Sequence, residues 1–426
     1  MRKRSGSPPE VNPIQPATVV KQERKYQLIT PLYGGGVTPA EPDPITVVRA
    51  TEIRGHLRFW WRACRSAQYG NLKAIKQAED ALWGTTGTKQ GGGPSQVQVE
   101  VAEYAVGDPH ASFDIAPSYA VFPLRQTPNK PLYVDVSFTL IIYFPAAQQQ
   151  EVEAALRMWE IFGGIGARTR RGFGALRLIS VDGVSNSDLP GSTKEEVKTW
   201  VQYQLEQCVV QGTYPPSLPH LTLSTVYKIT DSSQNVMAAW DNLIEQLKDF
   251  RQHRQRSDNP RHPGRSIWPE PSEIRRLTNQ SLPAHKNPPI PNPPIRKFPR
   301  AVFGLPIIFQ FKDRDRHHPD NKEKDPRNTV LRLDVSERLA SPLILKPLAC
   351  QNGKYVGLAM ILDGTGVDED RLILKTQEEP EKTDHVKYAF DPTESLVVGE
   401  DHSGNSIKID SSTNALQAFL KYLEGI

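Results

Sequence analysis

Polar and apolar positions alternate with period two over Gln96 to Tyr104, the pattern of a half-buried strand. An almost unbroken apolar run, LYVDVSFTLIIYF over Leu132 to Phe144, predicts the strongest strand in the chain. KYQLITPL (Lys25 to Leu32) reads as a strand leading into a loop opened by Gly34, Gly35 and Gly36. Helical spacing predicts helices over Glu52 to Gln68, with Thr51 as N-cap, and over Glu151 to Phe162; a further strand runs from Ala175 to Val181. The order strand, helix, two strands, helix, strand is that of a ferredoxin-like unit.

The polar stretch Asp182 to Ser192 separates this unit from a second α+β half. That half predicts helices at Lys194 to Cys208, Val236 to Arg254 and Asn414 to Leu423. Its strands are expected at Leu221 to Ile229, Val302 to Phe311, Thr329 to Val335, Leu343 to Leu348 and Tyr355 to Leu362. Seven prolines between Leu282 and Arg300 favour extended polyproline backbone over packed structure. Lys312 to Arg327 reads as a charged hairpin tip. The expected organisation is a disordered tail (residues 1–24), an N-terminal ferredoxin-like domain (25–182) and a C-terminal one (193–426) with a Pro/Arg-rich insertion (257–300). The echo of TEIR (51–54) in SEIR (272–275) is too short to establish duplication.

Composition narrows the function classes. The net charge is only +4, so affinity for a polyanion has to come from local clusters. Cys64, Cys208 and Cys350 are far apart and form no zinc or disulfide pattern, which fits a reducing cytoplasm. No apolar run is long enough to span a bilayer, and the basic start MRKRSGSPPE lacks the apolar core of a secretory signal.

The densest chemistry lies in GGIGARTRRGFG, where Gly163, Gly164, Gly166, Gly172 and Gly174 share twelve residues with Arg168, Arg170 and Arg171. Glycine permits positive φ and close backbone approach, and arginine is a permanent planar cation suited to phosphate. Neither a Walker loop nor a dinucleotide fingerprint fits, because the required Lys-Ser/Thr and third glycine are missing and the helix precedes the loop. The loop thus meets a helix C-terminus, whose dipole disfavours anions, and the arginines themselves must supply the attraction. RGFG also begins like an RNA-recognition signature, but Ala175 stands where a stacking aromatic belongs. In IRGHLRFWWRACR a helical turn brings Arg54, Arg58, Arg62 and Arg65 into one row beside an apolar stripe of Ile53, Leu57, Trp60 and Cys64, so Trp60 reads as core.

LITPLYGGG, IRGHLRFWWRA and GGIGARTRRGFGAL, in that order, resemble the RAMP superfamily of CRISPR proteins, and within it the first Cmr subunits of type III-B effector complexes. FPRAVFGLPIIF (298–309) and ERLASPLILKPL (337–348) are similar to the C-terminal part of those subunits. The resemblance implies two packed ferredoxin-like domains in a cytoplasmic ribonucleoprotein. It further implies a non-catalytic subunit that caps the filament near the guide 3′ end and helps capture target RNA. The implied partners are guide RNA, target RNA and other RAMP subunits, with no cofactor and no metal. Carried onto this sequence, the RNA contacts are Gly34, Gly35, Gly36, Arg54, Arg58, Arg62, Gly163, Gly164, Gly166, Arg168, Arg170, Arg171, Gly172 and Gly174. The alternative is a metal-independent guide-processing endoribonuclease, for which His56 is the acid–base residue to consider; its helical angle points it away from the arginine row. A third reading is an architectural cap whose arginines meet acidic protein. Asp43, between two prolines, reads as a turn residue, and His317 and His318 among Asp313, Asp315 and Asp320 read as solvated.

Overall fold

The computed structural model describes residues 18–38, 41, 43, 46–85, 93–110, 114–124, 131–255, 264–290, 293–311, 325–336, 338–364, 366–376, 382–401 and 403–424. The first unit contains β1 (Val19–Leu28), α1 (Ala50–Arg65), α2 (Leu72–Trp83), β2 (Gln98–Ala105) and β3 (Pro109–His110). It continues with α3 (Ser118–Val121), β4 (Leu132–Tyr133), β5 (Ser137–Pro145), α4 (Gln149–Phe162), β6 (Leu176–Val181) and β7 (Val184–Ser185). The sheet order β2-β5-β1-β6-β7 places the second, third, first and fourth strands of a βαββαβ unit side by side, all antiparallel. This is the ferredoxin-like arrangement. Alternate residues of β1 and β5 (Tyr26, Leu28, Phe138, Leu140, Ile142, Phe144) bury against Ile53, Leu57 and Trp60 of α1 and Leu156 and Trp159 of α4. Trp60 and Trp61 are core residues, 3% and 1% exposed.

Several expected boundaries move. β1 begins at Val19, so the segment read as tail is ordered strand from there to Arg24; residues 1–17 lie outside the described residues. The single strand expected over 132–144 is split, because Asp135 adopts a positive φ of 50° between β4 and β5. The N-cap of α1 is Arg49, without a side-chain capping bond, instead of Thr51. α2 was not anticipated, although Asn71 caps it by accepting from Ala74 N at 3.0 Å.

The second half comprises α5 (Lys194–Cys208), β8 (Tyr227–Ile229), α6 (Val236–Arg251), α7 (Glu270–Thr278), β9 (Ile307–Phe309) and β10 (Thr329–Leu333). It ends with β11 (Leu343–Ala349), β12 (Tyr355–Ile361), β13 (Leu372–Thr376), β14 (Thr383–His385), β15 (Leu396–Glu400), β16 (Ser406–Ile409) and α8 (Ala415–Glu424). The sheet β11-β12-β8 with α6 repeats the second-third-first order, and no fourth strand extends it among the described residues. The segments inserted before β11 and after β12 pair with each other as a separate sheet, β14-β13-β10-β9, over its own core of Ile274, Phe298, Leu331 and Leu374.

The polyproline expectation for 282–300 gives way to 3-10 turns at Pro283–His285 and Pro299–Phe303, and that layer is built partly from the wider Pro/Arg-rich segment 257–300. α7 forms inside the segment, and Trp268, Ile274 and Phe298 are fully buried. Prolines fix φ but do not prevent the residues between them from packing. The strand expected over 302–311 shrinks to β9 behind a 3-10 turn at Pro299–Phe303. Of the charged excursion, residues 312–324 lie outside the described residues, His317 and His318 among them. Asp325, at its end, is buried and accepts from Arg275 Nε at 2.7 Å and from Arg275 Nη2 at 2.8 Å, with His285 Nδ1 at 2.8 Å. Its carboxyl resists burial: Arg275 and His285 together draw it below the usual range.

Candidate nucleic-acid interface

The end of β1 and the loop after α4 are stitched together by backbone. Ile29 N donates to Ala175 O at 2.9 Å, Gly174 N to Pro31 O at 2.9 Å and Ala167 N to Tyr33 O at 2.6 Å. The Thr30 hydroxyl donates to Gly172 O at 2.7 Å and accepts from Ala175 N at 2.9 Å. This contact explains the glycines, and it corrects their expected role. Gly163, Gly164, Gly172 and Gly174 are buried. A Cβ on Gly166 (φ 86°) would lie 2.6 Å from Tyr33 O, and one on Gly172 (φ 87°) 2.3 Å from Trp240 Nε1. The bare backbone makes room for the protein's own chain. It does not present an open surface to a ligand. Gly34 is likewise buried, and a Cβ on Gly35 would lie 3.1 Å from the Glu52 carboxylate. Gly36 turns away, its N–H on Glu41 O at 2.7 Å.

The loop arginines remain the chemistry. Arg168 sits at φ 61°, with Nε buried and without an acceptor among the described residues. Burial lowers its pKa, partly offset by Tyr33. Arg170 donates to the carbonyl of Ser341 and stands 5.8 Å over the Phe59 ring; burial lowers its pKa too. Arg171 donates to Arg170 O at 3.0 Å and to Leu343 O at 2.9 Å. Burial, with Arg251, Arg168 and Arg170 adding like charge, pushes it down to about 9. Carbonyl dipoles hold Arg170 and Arg171, and no described carboxylate pairs with any of the three, so their charge is left for an anion to meet. Two unanticipated cations join them. Arg251 of α6 stands 5.2 Å over Phe303, and Arg49 donates to Gly35 O; the Nε of each is buried without an acceptor among the described residues.

The N-terminal turns of α1 face this loop through Glu52, His56 and Phe59, spaced i, i+4, i+7. Glu52 Oε1 accepts from Gly166 N at 2.7 Å, and His56 Nε2 lies 3.5 Å from the same oxygen. His56 is therefore at the loop. The helical-angle reading was right that it faces away from the arginine row, and it is the row that lies elsewhere.

Arg54, Arg58 and Arg62 point toward α2. Arg58 Nε donates to Glu79 at 2.7 Å, Arg62 Nη1 to the same oxygen at 2.5 Å, and Arg54 to Trp83 O. Glu79, 4% exposed, thus answers two of the three cations. Only Arg54 lacks a carboxylate among the described residues; burial, then Arg58, lowers its pKa. Arg54, Arg58 and Lys76 line a cleft of about 490 Å³ with Gly84 and Ser95, separate from the glycine loop. The expected continuous surface of loop and helix cations is two sites on opposite sides of α1. Asp43 Oδ1 accepts from Thr46 N at 2.8 Å, as a turn residue does. Among the described residues no cluster of His, Cys, Asp and Glu is arranged to hold a metal, and no helix is long and apolar enough to cross a membrane.

Glu52 and Arg49 were within reach of sequence reasoning, since Glu52 stands at i−4 from His56 and Arg49 just ahead of the helix. Arg251 was not, because only the packing of α6 on β11 brings it to the loop.

Residues 25–177 match the family model of the RAMP superfamily. Solved structures similar to the chain include Cmr1 from Pyrococcus furiosus (apo form), 17% identical over 82% of this chain and 90% of the other, with a TM-score of 0.46. A chain of the type III-B Cmr-beta complex bound to cognate target RNA is 14% identical over 81% of this chain and 95% of the other, with a TM-score of 0.44. No curated protein matches.

Proposed function

We propose that this protein is a non-catalytic RNA-binding subunit of a type III-B CRISPR ribonucleoprotein, capping the filament near the guide 3′ end and helping to capture target RNA. The observation that carries the reading is the set of guanidiniums at Arg168, Arg170, Arg171 and Arg251 at the junction of the two units: Arg170 and Arg171 donate to carbonyls, Arg251 stands over Phe303, and no described carboxylate pairs with any of the four. A phosphodiester supplies the missing charge, and counterion release adds affinity. The RAMP match over 25–177 and the three sequence motifs support the assignment to the type III-B machinery.

Arg168 is the discriminating residue, because its Nε is buried with no acceptor among the described residues. In a salt titration of single-stranded RNA binding, Arg168→Ala lowers affinity and reduces the slope of log K against log salt by about 1. Arg62→Ala, with Glu79 as its native partner, leaves the slope within error. Equal slopes for wild type and Arg168→Ala overturn the reading.

A further inference from the structure

The segment between α5 and β8 closes over the last turn of α1. Val210 N donates to Cys64 O at 2.8 Å and Leu221 N to Ala63 O at 2.8 Å. The Tyr214 hydroxyl donates to the same Ala63 carbonyl at 3.3 Å. Its ring lies flat on the His220 imidazole, with centroids 4.0 Å apart and planes 8° apart. His220 is itself held, with Nδ1 2.7 Å from Leu218 O. Tyr214 is thus fixed at its end and over one face, yet it stays half-buried. It borders a cleft of about 380 Å³ whose other walls are residues 209–212 and 222–224.

Among the described residues, no charged side chain lines this cleft. A phosphate or an ammonium group finds no counter-charge there, which sets the cleft apart from the arginine cluster. Its walls offer apolar surface from Val210 and Leu223, a ring already ordered, and two hydroxyls. The Thr222 hydroxyl donates to Asp363 Oδ2 at 3.3 Å and lies 3.1 Å from the Ser224 hydroxyl. Thr222 therefore keeps a lone pair for an incoming N–H, and Ser224 can donate its O–H. Such walls suit a flat, neutral ligand with donors and acceptors on its edge, and a cleft at the small end of the range for ligand sites holds one such group. Nucleobases have that chemistry, and tyrosine rings are platforms on which unpaired bases stack. We propose that the cleft is a nucleobase pocket with Tyr214 as its stacking platform. The base comes from a free nucleoside or from the strand whose phosphates the arginines hold; the second source rests on the RNA-binding reading. Glu52 at the glycine loop and Ala63 at the cleft lie about 16 Å apart along α1, so the two sites can be tested independently.

The test uses the whole chain and two probes whose fluorescence falls when the base stacks: 2-aminopurine ribonucleoside, and a single-stranded oligoribonucleotide carrying one 2-aminopurine. Saturable quenching that does not respond to salt is expected for the nucleoside. Tyr214→Leu weakens its binding roughly 5- to 150-fold, the range for one stacked base, and Tyr214→Phe, which keeps the ring, retains it. Ser224→Trp, at an exposed position on the cleft wall, fills the cleft without touching the anchors of Tyr214 and abolishes the quenching. Absence of quenching with both probes in wild type overturns the pocket, as does undiminished quenching in Ser224→Trp. Quenching of the strand that Ser224→Trp removes assigns the base to bound RNA, and quenching of the nucleoside alone assigns it to a free nucleoside. Failure of the RNA-binding reading shows itself separately, as an unchanged salt slope for the strand in Arg168→Ala while nucleoside quenching persists.

Discussion

Glu52 accepts the Gly166 N–H at 2.7 Å, joining the first helix to a loop 114 positions further on. The carboxylate keeps the glycine loop in place but puts a negative charge at the loop that carries Arg168, Arg170 and Arg171. Glu52→Gln retains an acceptor for Gly166 and removes the charge. Its unfolding free energy should stay within about 1 kcal/mol of wild type, while RNA affinity at low salt rises. Weaker RNA binding by a folded Glu52→Gln protein would show that the charge itself takes part in recognition.

Glu79 serves Arg58 and Arg62 together, and both partners keep some contact with water, their side chains 27% and 29% exposed. Removing it strands two guanidiniums against α2. Glu79→Ala should cost about 2 kcal/mol in denaturant unfolding, less than a fully buried pair because solvent screens the charges left behind. A cost near zero would mean the row is a solvated face after all.

Lys346 of β11 is completely buried and donates to the carbonyl of Glu160 in the last turn of α4. Burial, only partly opposed by Glu160, pushes its pKa down to about 7, whereas the unfolded chain titrates near 10.4. Between these values the unfolded state binds the extra proton, so stability rises with pH. The penalty is complete below about pH 7 and is relieved toward pH 10. The expected slope reaches about 1.4 kcal/mol per pH unit. Lys346→Met should flatten the profile in that window; an unchanged profile would assign the titration elsewhere.

His56 beside the glycine loop gives the nuclease alternative a geometric foothold, and a cleavage assay decides it. Purified protein incubated with repeat RNA in EDTA is expected to yield no discrete products, with His56→Ala indistinguishable from wild type. Site-specific products lost in His56→Ala would make the protein a metal-independent endoribonuclease.

The periodic segments carried the first unit's architecture. β1, α1, β5, α4 and β6 each have an apolar face set by local spacing, and only the ferredoxin-like order buries all of those faces at once. The glycine–arginine loop was equally plain, because five glycines in twelve residues mark unusual backbone wherever they fall. Their purpose was hidden. Gly166 and Gly172 are bare because Tyr33 and Trp240 come to meet them, and neither neighbour is near in sequence.

Charge was the least readable property. By helical angle, Arg54, Arg58, Arg62 and Arg65 formed a row as cationic as the loop, yet Glu79 on an unanticipated helix answers Arg58 and Arg62, while no described carboxylate pairs with Arg168, Arg170 or Arg171. Local pattern set which faces of the strongly periodic segments β1, α1, β5, α4 and β6 turn to the core, because that choice depends on neighbours a few positions away. Which cation keeps its charge free for a ligand depended on carboxylates and carbonyls arriving from tens to hundreds of residues off, and folding alone determined that.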